Sequence, residues 1–180
     1  MIEFKLEDTI SLLASTPGAL NALLRKLPDT LTYRNEGENT WTALEVVGHL
    51  IYADRTDWMP RARMILEFGE SRPFEPFDRE GHTQEVRGKS LSQLLDEFAQ
   101  VRAENLEALH GLNLQPNDFD RLGKHPALGG VSLSQLLSTW AAHDLTHLHQ
   151  ISRIMAHQYR DAVGPFGAYL GVMQCAGHSS

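Results

Sequence analysis

The stretch SLSQLLSTWAAHDLTHLHQISRIMAHQY, residues 132–159, is the longest segment with uninterrupted helical periodicity. Ser132 can cap its first turn and Gln135 stands at the capping-box position, so a helix is predicted from here to about Tyr159. Apolar side chains recur on one face at helical spacing, and the stripe comprises Leu133, Leu137, Trp140, His147, Ile151 and Ile154. A histidine therefore stands where a leucine would otherwise face the core.

A second histidine shares this face. His143 lies one turn before His147, about 40° away around the helix axis, and two imidazoles in an H-x-x-x-H spacing can chelate one metal ion. His149 is about 200° round from His147, which predicts a solvated or interface position, and His157 lies about 15 Å further along the axis. The spacing alone leaves a metal-binding pair and an accidental pair about equally open.

Three further segments have helical periodicity and no segment shows sustained alternation with a period of two, so the fold class is all-α. The first helix carries its apolar positions between Leu6 and Leu24, and we expect a kink or a restart near Pro17. The third helix follows Ser90 and has a broad apolar face. Its opposite side, predicted to face solvent, carries the charged residues Asp96, Glu97, Arg102 and Glu104.

The second helix has the clearest start in the sequence, because Thr42 and Glu45 form a T-x-x-E capping box. Pro60 predicts a kink or restart of this element. His49 interrupts the apolar run VVGHLI at residues 46–51, and Gly48 beside it would let another helix or a ligand approach closely. A lone histidine on an apolar face is usually a core residue bonded to a carbonyl, so a ligand role for His49 does not follow from its position.

The connections complete a single predicted domain spanning residues 1–180. Residues 69–88, with several prolines and glycines, are typical of a long surface connection. Pro165 permits a short terminal helix, over about 165–175, that docks on the edge of the bundle. Four main helices with short additional helices form the predicted architecture.

Composition excludes several classes of function. The formal net charge is −7, from 23 acidic and 16 basic residues, and no basic cluster could follow a phosphate backbone, so nucleic acid is not an expected partner. The N-terminus lacks the pattern of a signal peptide and no apolar run has membrane-spanning length, which predicts a cytoplasmic protein without a membrane partner. The single cysteine, Cys175, allows no internal disulfide and no cysteine-based metal cluster.

Two segments carry a family resemblance. WTALEVVGHL at residues 41–50 and HPALGGVSLSQLLSTWAAHDLTHLHQISRI at residues 125–154 closely resemble the DinB-like superfamily, the group that includes the YfiT-type metalloenzymes. STPGALNALLRKLP at residues 15–28 and QYRDAVGPFGAYL at residues 158–170 are also similar to that group. The resemblance covers nearly the whole chain, and the order of the segments matches as well.

The resemblance implies an up-down-down-up four-helix bundle that holds one divalent metal ion per chain through three histidines. One ligand comes from the second helix and two come from the fourth, and the matching positions here are His49, His143 and His147. Homodimers are frequent in the group, and some of its members are thiol-dependent transferases or isomerases. A homodimer and a low-molecular-weight thiol are therefore expected as partners on the resemblance alone.

Three neutral imidazoles would leave a coordination position open for water or substrate, which is typical of a catalytic site. Zinc and nickel both suit imidazole ligands. Asp144 and Glu45 are candidates to accept hydrogen bonds from the ligands or to assist as acid or base. Asp144 could equally face solvent or a neighbouring helix, and the capping box is the favoured role of Glu45.

Asp54, Arg55 and Trp58, which follow His49 on the same segment, could line the mouth of a cavity. A solvated helix face is the favoured explanation for the two charged residues. Trp140 is predicted to lie in the core. The leading hypothesis is a metal-dependent enzyme acting on a small molecule, either a hydrolase or a thiol-dependent transferase. The alternatives are a non-catalytic metal-binding or stress-related bundle, and a metal-free bundle with three buried histidines.

Overall fold

The computed structural model describes residues 4–175, and the elements below lie within that range. The α-helices are α1 (Leu6–Leu24), α2 (Asp29–Thr32), α3 (Ala43–Thr56), α4 (Trp58–Phe68), α5 (His82–Val86), α6 (Leu91–Gly111) and α7 (Leu133–His157). Strands β1 (Leu122–His125) and β2 (Gly129–Ser132) form an antiparallel hairpin.

Four long elements form the bundle: α1, the α3–α4 pair, α6 and α7. Helices α1 and α3 each pack against both α6 and α7, and α4 packs against α7. The apolar side chains between them form two buried clusters. One cluster includes most of α3, and the other includes the end of α3 and α4. The prediction of an all-α four-helix bundle is confirmed.

The predicted helix starts are also confirmed. Thr42, Ser90 and Ser132 have extended backbones, and each side-chain hydroxyl accepts a hydrogen bond from the backbone N–H three residues later. In return, the Glu45 and Gln135 side chains accept from the backbone N–H groups of Thr42 and Ser132. These reciprocal bonds satisfy N–H groups that have no partner inside the helix, so they fix where α3 and α7 begin.

The two helical prolines behave differently. Pro60 lies in the first turn of α4, after a break at Asp57, so the predicted restart occurs. Helix α1 runs unbroken through Pro17, so no restart occurs there. Proline has no N–H to donate to the carbonyl four residues earlier. Arg102 supplies the missing donor, because its Nη1 lies 2.9 Å from the Leu13 carbonyl oxygen.

Arg102 corrects a prediction, because this side chain is only 1% exposed and does not face solvent. It donates two hydrogen bonds to Asp54 at 2.7 and 3.0 Å and two to Asp144. Trp140 donates a further bond to Asp54 at 3.0 Å. One guanidinium therefore ties α3 to α7 from its place on α6, and this buried network fixes the helices that carry the predicted histidine ligands.

The connections contain more structure than the sequence indicated. Residues 69–88 include α5, which packs closely on α3 because Gly48 has no side chain. A Cβ atom at Gly48 would lie 2.4 Å from Val86 Cγ1. The hairpin β1–β2 was not predicted, since each strand has only four residues.

The C-terminal segment also differs from the prediction. In place of one α-helix over about 165–175, it forms two short 3₁₀ segments, Gly164–Tyr169 and Gly171–Met173, of which the second contacts α7. Cys175 is exposed. Within residues 4–175, no helix is long and apolar enough to cross a membrane.

Candidate metal centre

Three histidine side chains converge between α3 and α7. His49 Nε2 and His147 Nε2 each lie 3.1 Å from His143 Nε2, and the three ligand atoms all fall within 4.8 Å of one another. In a tetrahedral zinc site, Zn–N bonds of about 2.0–2.1 Å place neighbouring nitrogens about 3.3 Å apart. His149 is exposed, and His157, the last residue of α7, contacts Arg160; neither belongs to the cluster.

The cluster is held in the neutral form. Burial, reinforced by His147 and His82, lowers the pKa of His49 to about 3. Burial, reinforced by the same His147 and by His49, lowers the pKa of His143 to about 2. Burial also lowers the pKa of His147, although hydrogen bonding to Gln150 opposes the shift. Neutral imidazole is the form that binds a metal ion, so the three rings need not lose protons near pH 7.

Gln150 determines which nitrogen of His147 is available. Its Oε1 lies 2.7 Å from His147 Nδ1, and an amide oxygen can only accept, so Nδ1 carries the proton and Nε2 presents its lone pair to the cluster. Gln150 is buried at 3% exposure, and it lies on the same helix three residues after His147. Within the described residues, Nδ1 of His49 and of His143 has no hydrogen-bond partner.

Aromatic rings enclose the cluster. The Trp41 ring lies 4.9 Å from that of His49, and the Trp58 ring lies 5.1 Å from that of His143, edge to face. A fourth buried histidine, His82 on α5, packs on Trp41 at 4.4 Å, while its Nδ1 lies 3.0 Å from the Arg79 carbonyl oxygen. The rings exclude water from the flanks of the cluster.

One side of the cluster is open to a cavity of about 430 Å³. All three histidines line it, together with Trp41 and Trp58. A volume of this size suits a small molecule. The arrangement therefore combines three neutral imidazole donors with access for a ligand from one side.

Asp57 and Arg61 line the same cavity. Arg61 Nε lies 2.8 Å from Asp57 Oδ1, and the two side chains form an ion pair. Burial raises the pKa of Asp57 to about 6, with Arg61 acting against the rise. Asp57 is therefore able to take up or release a proton close to neutral pH.

The structure gives the two candidate supporting carboxylates other partners. Glu45 Oε2 accepts from the backbone N–H of Thr42 at 2.7 Å and from its hydroxyl at 2.8 Å, which is the capping role. Asp144 is fully buried, and both of its oxygens accept from Arg102. Neither carboxylate is hydrogen-bonded to a histidine of the cluster, and Gln150 fills that role for His147.

The three residues expected at a cavity mouth lie in three different environments. Trp58 lines the cavity. Asp54 is buried in the Arg102 network at 1% exposure, so its prediction as a cavity or solvent residue was wrong. Arg55 lies outside the cavity and pairs with two glutamates. Trp140 is in the core, as predicted.

Several residues of the site were missed at the level of sequence, among them Asp57, Gln150 and His82. Asp57 follows His49 and Ala53 at intervals of four residues, and all three line the cavity, so helical spacing could have found it. Gln150 shares the face of His147 three residues on, which is also a spacing signal. His82 lies on a five-residue helix in a connection, where no periodicity could indicate burial.

Comparison with known families places this geometry in context. A family model described as the DinB superfamily matches residues 12–151. The chain belongs to the DinB superfamily. No curated protein matches it.

Solved structures with a similar fold include the following two. YfiT from Bacillus subtilis, described as a probable metal-dependent hydrolase with an unusual four-helix bundle topology, superposes with a TM-score of 0.73 at 18% identity over 88% of this chain and 90% of YfiT. TT2238, described as a four-helix bundle protein, has a TM-score of 0.51 at 19% identity over 82% of this chain and 98% of TT2238. At these identities the likeness shows the fold alone.

Proposed function

We propose that this chain is a divalent-metal-dependent enzyme that acts on a small molecule. His49, His143 and His147 hold one metal ion in this proposal, and zinc and nickel are the expected metals. The observation that carries the proposal is the convergence of three Nε2 atoms on the wall of a cavity, where those of His49 and His147 each lie 3.1 Å from that of His143. Neutral rings and a fixed His147 tautomer suit this donor set to a divalent ion.

The open side of the cluster supports a catalytic rather than a structural metal. Structural zinc sites are closed by four protein ligands, whereas catalytic sites use three and leave a position for water or substrate. Among the described residues, three histidines form the cluster, and the cavity adjoins it. When bound, a divalent ion supplies Lewis-acid polarisation and lowers the pKa of a water ligand.

The chain's own residues would contribute a proton acceptor and aromatic rings that shield the histidines from water. Asp57 faces the cavity, and Arg61 orients its carboxylate through the 2.8 Å ion pair. A carboxylate with a pKa of about 6 accepts a proton from water near neutral pH and can return it later in the reaction. Trp41 and Trp58 shield the histidines on either side.

Hydrolysis is the reaction we put first, since YfiT is described as a probable metal-dependent hydrolase. Thiol-dependent transfer, the homodimer and the cytoplasmic location stay predictions from the sequence and its resemblance. A non-catalytic metal-binding bundle is the competing function. The competing function makes no use of the cavity or of Asp57.

An activity screen tests the proposal. Zinc-loaded and nickel-loaded protein would be assayed with esters, with amides, and with electrophiles plus a low-molecular-weight thiol, beside metal-free protein and the His143→Ala variant. We expect turnover of one class that requires metal and is lost in His143→Ala. Asp57→Asn should bind metal normally yet lose activity by about 10²-fold or more, as expected for a general base.

Two outcomes would contradict the proposal. Stoichiometric metal with no turnover in any class would favour the non-catalytic bundle. Turnover that persists unchanged in metal-free protein and in His143→Ala would remove the metal from the reaction. Because His149 is exposed on the same helix, His149→Ala is the matched control and should behave as wild type.

A further inference from the structure

The lining of the cavity has a charge opposite to that of the chain. The whole chain carries a formal charge of −7. The cavity is lined by two arginines, Arg61 and Arg79, and by one carboxylate, Asp57, which leaves a net charge of +1. Charge of this sign in a concave site concentrates anions near the histidine cluster.

Arg61 has donors left over for a ligand. Its Nε lies 2.8 Å from Asp57 Oδ1 in an ion pair, and Nη2 donates to the Glu75 carbonyl oxygen at 3.3 Å. A guanidinium has five N–H donors, and within residues 4–175 no acceptor is found for those of Nη1. The Phe74 ring lies 5.2 Å from Cζ and packs against the guanidinium. Arg61 is therefore a buried, oriented cation with free donors at a cavity wall.

His125 adds a neutral donor from the hairpin tip. Its Nδ1 accepts from the backbone N–H groups of Ala127 and Leu128 at 3.1 and 3.2 Å. Because Nδ1 is the acceptor, the proton of the neutral ring is on Nε2, which makes Nε2–H the donor that remains. His125 and Ala127 both line the cavity.

Three aromatic side chains also line the cavity: Trp41, Trp58 and Phe77. Flat apolar walls beside a cluster of donors match a ligand with a planar apolar part and an anionic end. A carboxylate suits the donors, because arginine binds the two oxygens of a carboxylate in a fork geometry.

We propose that the cavity binds small molecules that carry a carboxylate, held by Arg61, Arg79 and the Nε2–H of His125, with the apolar part of the ligand against Trp41 and Trp58. The proposal names a substrate class for the same site, and its interpretation as a substrate site rests on the proposed function. Binding of the carboxylate itself requires no metal. It can therefore be tested on metal-free protein.

The chain contains three tryptophans, which provide a built-in readout. Benzoate and its neutral counterpart benzamide would be titrated at pH 7 into EDTA-treated, ¹⁵N-labelled full-length protein. Benzoate should shift the indole N–H signals of Trp41 and Trp58 saturably, while Trp140, fully buried and bonded to Asp54, should not move. Benzamide should bind at least about tenfold more weakly, because it lacks the charge that strengthens the hydrogen bonds.

The Arg79→Gln variant tests the cation directly, since Arg79 is exposed and its replacement leaves the core unchanged. Benzoate affinity should fall about tenfold, with benzamide affinity unchanged. Arg87→Gln is the matched control, because it removes the same charge from an exposed residue that does not line the cavity. Equal affinities for benzoate and benzamide, or wild-type benzoate affinity in Arg79→Gln, would overturn the proposal.

The two proposals fail separately. A protein that binds benzoate in the cavity but takes up no metal supports the carboxylate site and contradicts the metal-dependent function. A protein that takes up one metal ion but shows no saturable shift of Trp41 or Trp58 with benzoate supports the metal site and contradicts the carboxylate site.

Discussion

The hydrogen bond from His147 to Gln150 leads to a quantitative prediction about metal affinity. In Gln150→Leu the side chain keeps a similar volume but loses the oxygen that lies 2.7 Å from His147 Nδ1. The proton is then no longer fixed on Nδ1. Some of the His147 rings carry it on Nε2 instead, where no lone pair is left for the metal ion. Removing such a supporting acceptor weakens metal binding by about 10–100-fold, or about 1.4–2.7 kcal/mol.

Zinc affinity would be measured by competition with a chromophoric chelator, using protein purified without a histidine tag. Gln150→Glu keeps an acceptor oxygen at the same place and should bind zinc at least as tightly as wild type. Gln158→Leu makes the same chemical change at the end of α7, where the side chain donates to carbonyl oxygens, and should have no effect.

Loss of the acceptor also leaves His147 Nδ1 unsatisfied in a buried position, which costs about 1–3 kcal/mol of folding free energy. The titration is therefore run at a temperature where metal-free Gln150→Leu is shown to be folded by circular dichroism. If folded Gln150→Leu binds zinc within about twofold of wild type, Gln150 does not set the His147 tautomer and the account of the site is wrong on this point.

Two further predictions concern stability. Arg102→Met should lower the free energy of unfolding by about 3–5 kcal/mol in urea titrations, because two buried carboxylates lose their cation; a loss below about 1 kcal/mol would show that the network is not needed. In metal-free protein, the free energy of unfolding should not depend on protonation of the three histidines above about pH 6.5. Below that pH it should fall by up to about 1.4 kcal/mol per pH unit for each histidine. The unfolded rings protonate near pH 6.5, whereas folded His49 and His143 resist until about 3 and about 2. His49→Leu should flatten this dependence, and a slope equal to that of wild type would contradict the shifts.

The helices and their starts were predictable because local chemistry determines them. The capping boxes at Thr42 and Ser132 need only residues three apart, and the apolar stripes need only helical periodicity. The pair His143 and His147 followed from the same geometry, since residues four apart share a helix face. His49 lies 94 residues before its partner, so its place in the cluster depended on the family resemblance.

The parts that were not predicted depend on tertiary contacts. A charged residue on a helix normally faces solvent, and nothing local to Arg102 indicates that Asp54, Asp144 and the carbonyl of Leu13 surround it. The freed carbonyl opposite Pro17 was a clue, because a buried acceptor needs a donor from elsewhere. The source of that donor is a matter of bundle packing.

The hairpin β1–β2 and helix α5 were not predicted for a different reason, which is their short length. Each strand of the hairpin has four residues, too few for an alternating pattern to be recognised, and α5 has five. Yet these elements bring His125 and His82 to the walls of the site. The functional surroundings of the cluster therefore depend on the least predictable segments, while the cluster itself lies on the most predictable ones.

The central claim is that His49, His143 and His147 bind a divalent metal ion, and elemental analysis tests it most directly. Protein purified without a histidine tag would be analysed by mass spectrometry for zinc, nickel and other divalent metals, beside His143→Ala and the surface control His149→Ala. We predict about one ion per chain in wild type and in His149→Ala, and none in His143→Ala. Wild-type protein that remains metal-free after incubation with zinc and with nickel, or a His143→Ala variant that retains the full metal content, would contradict the claim.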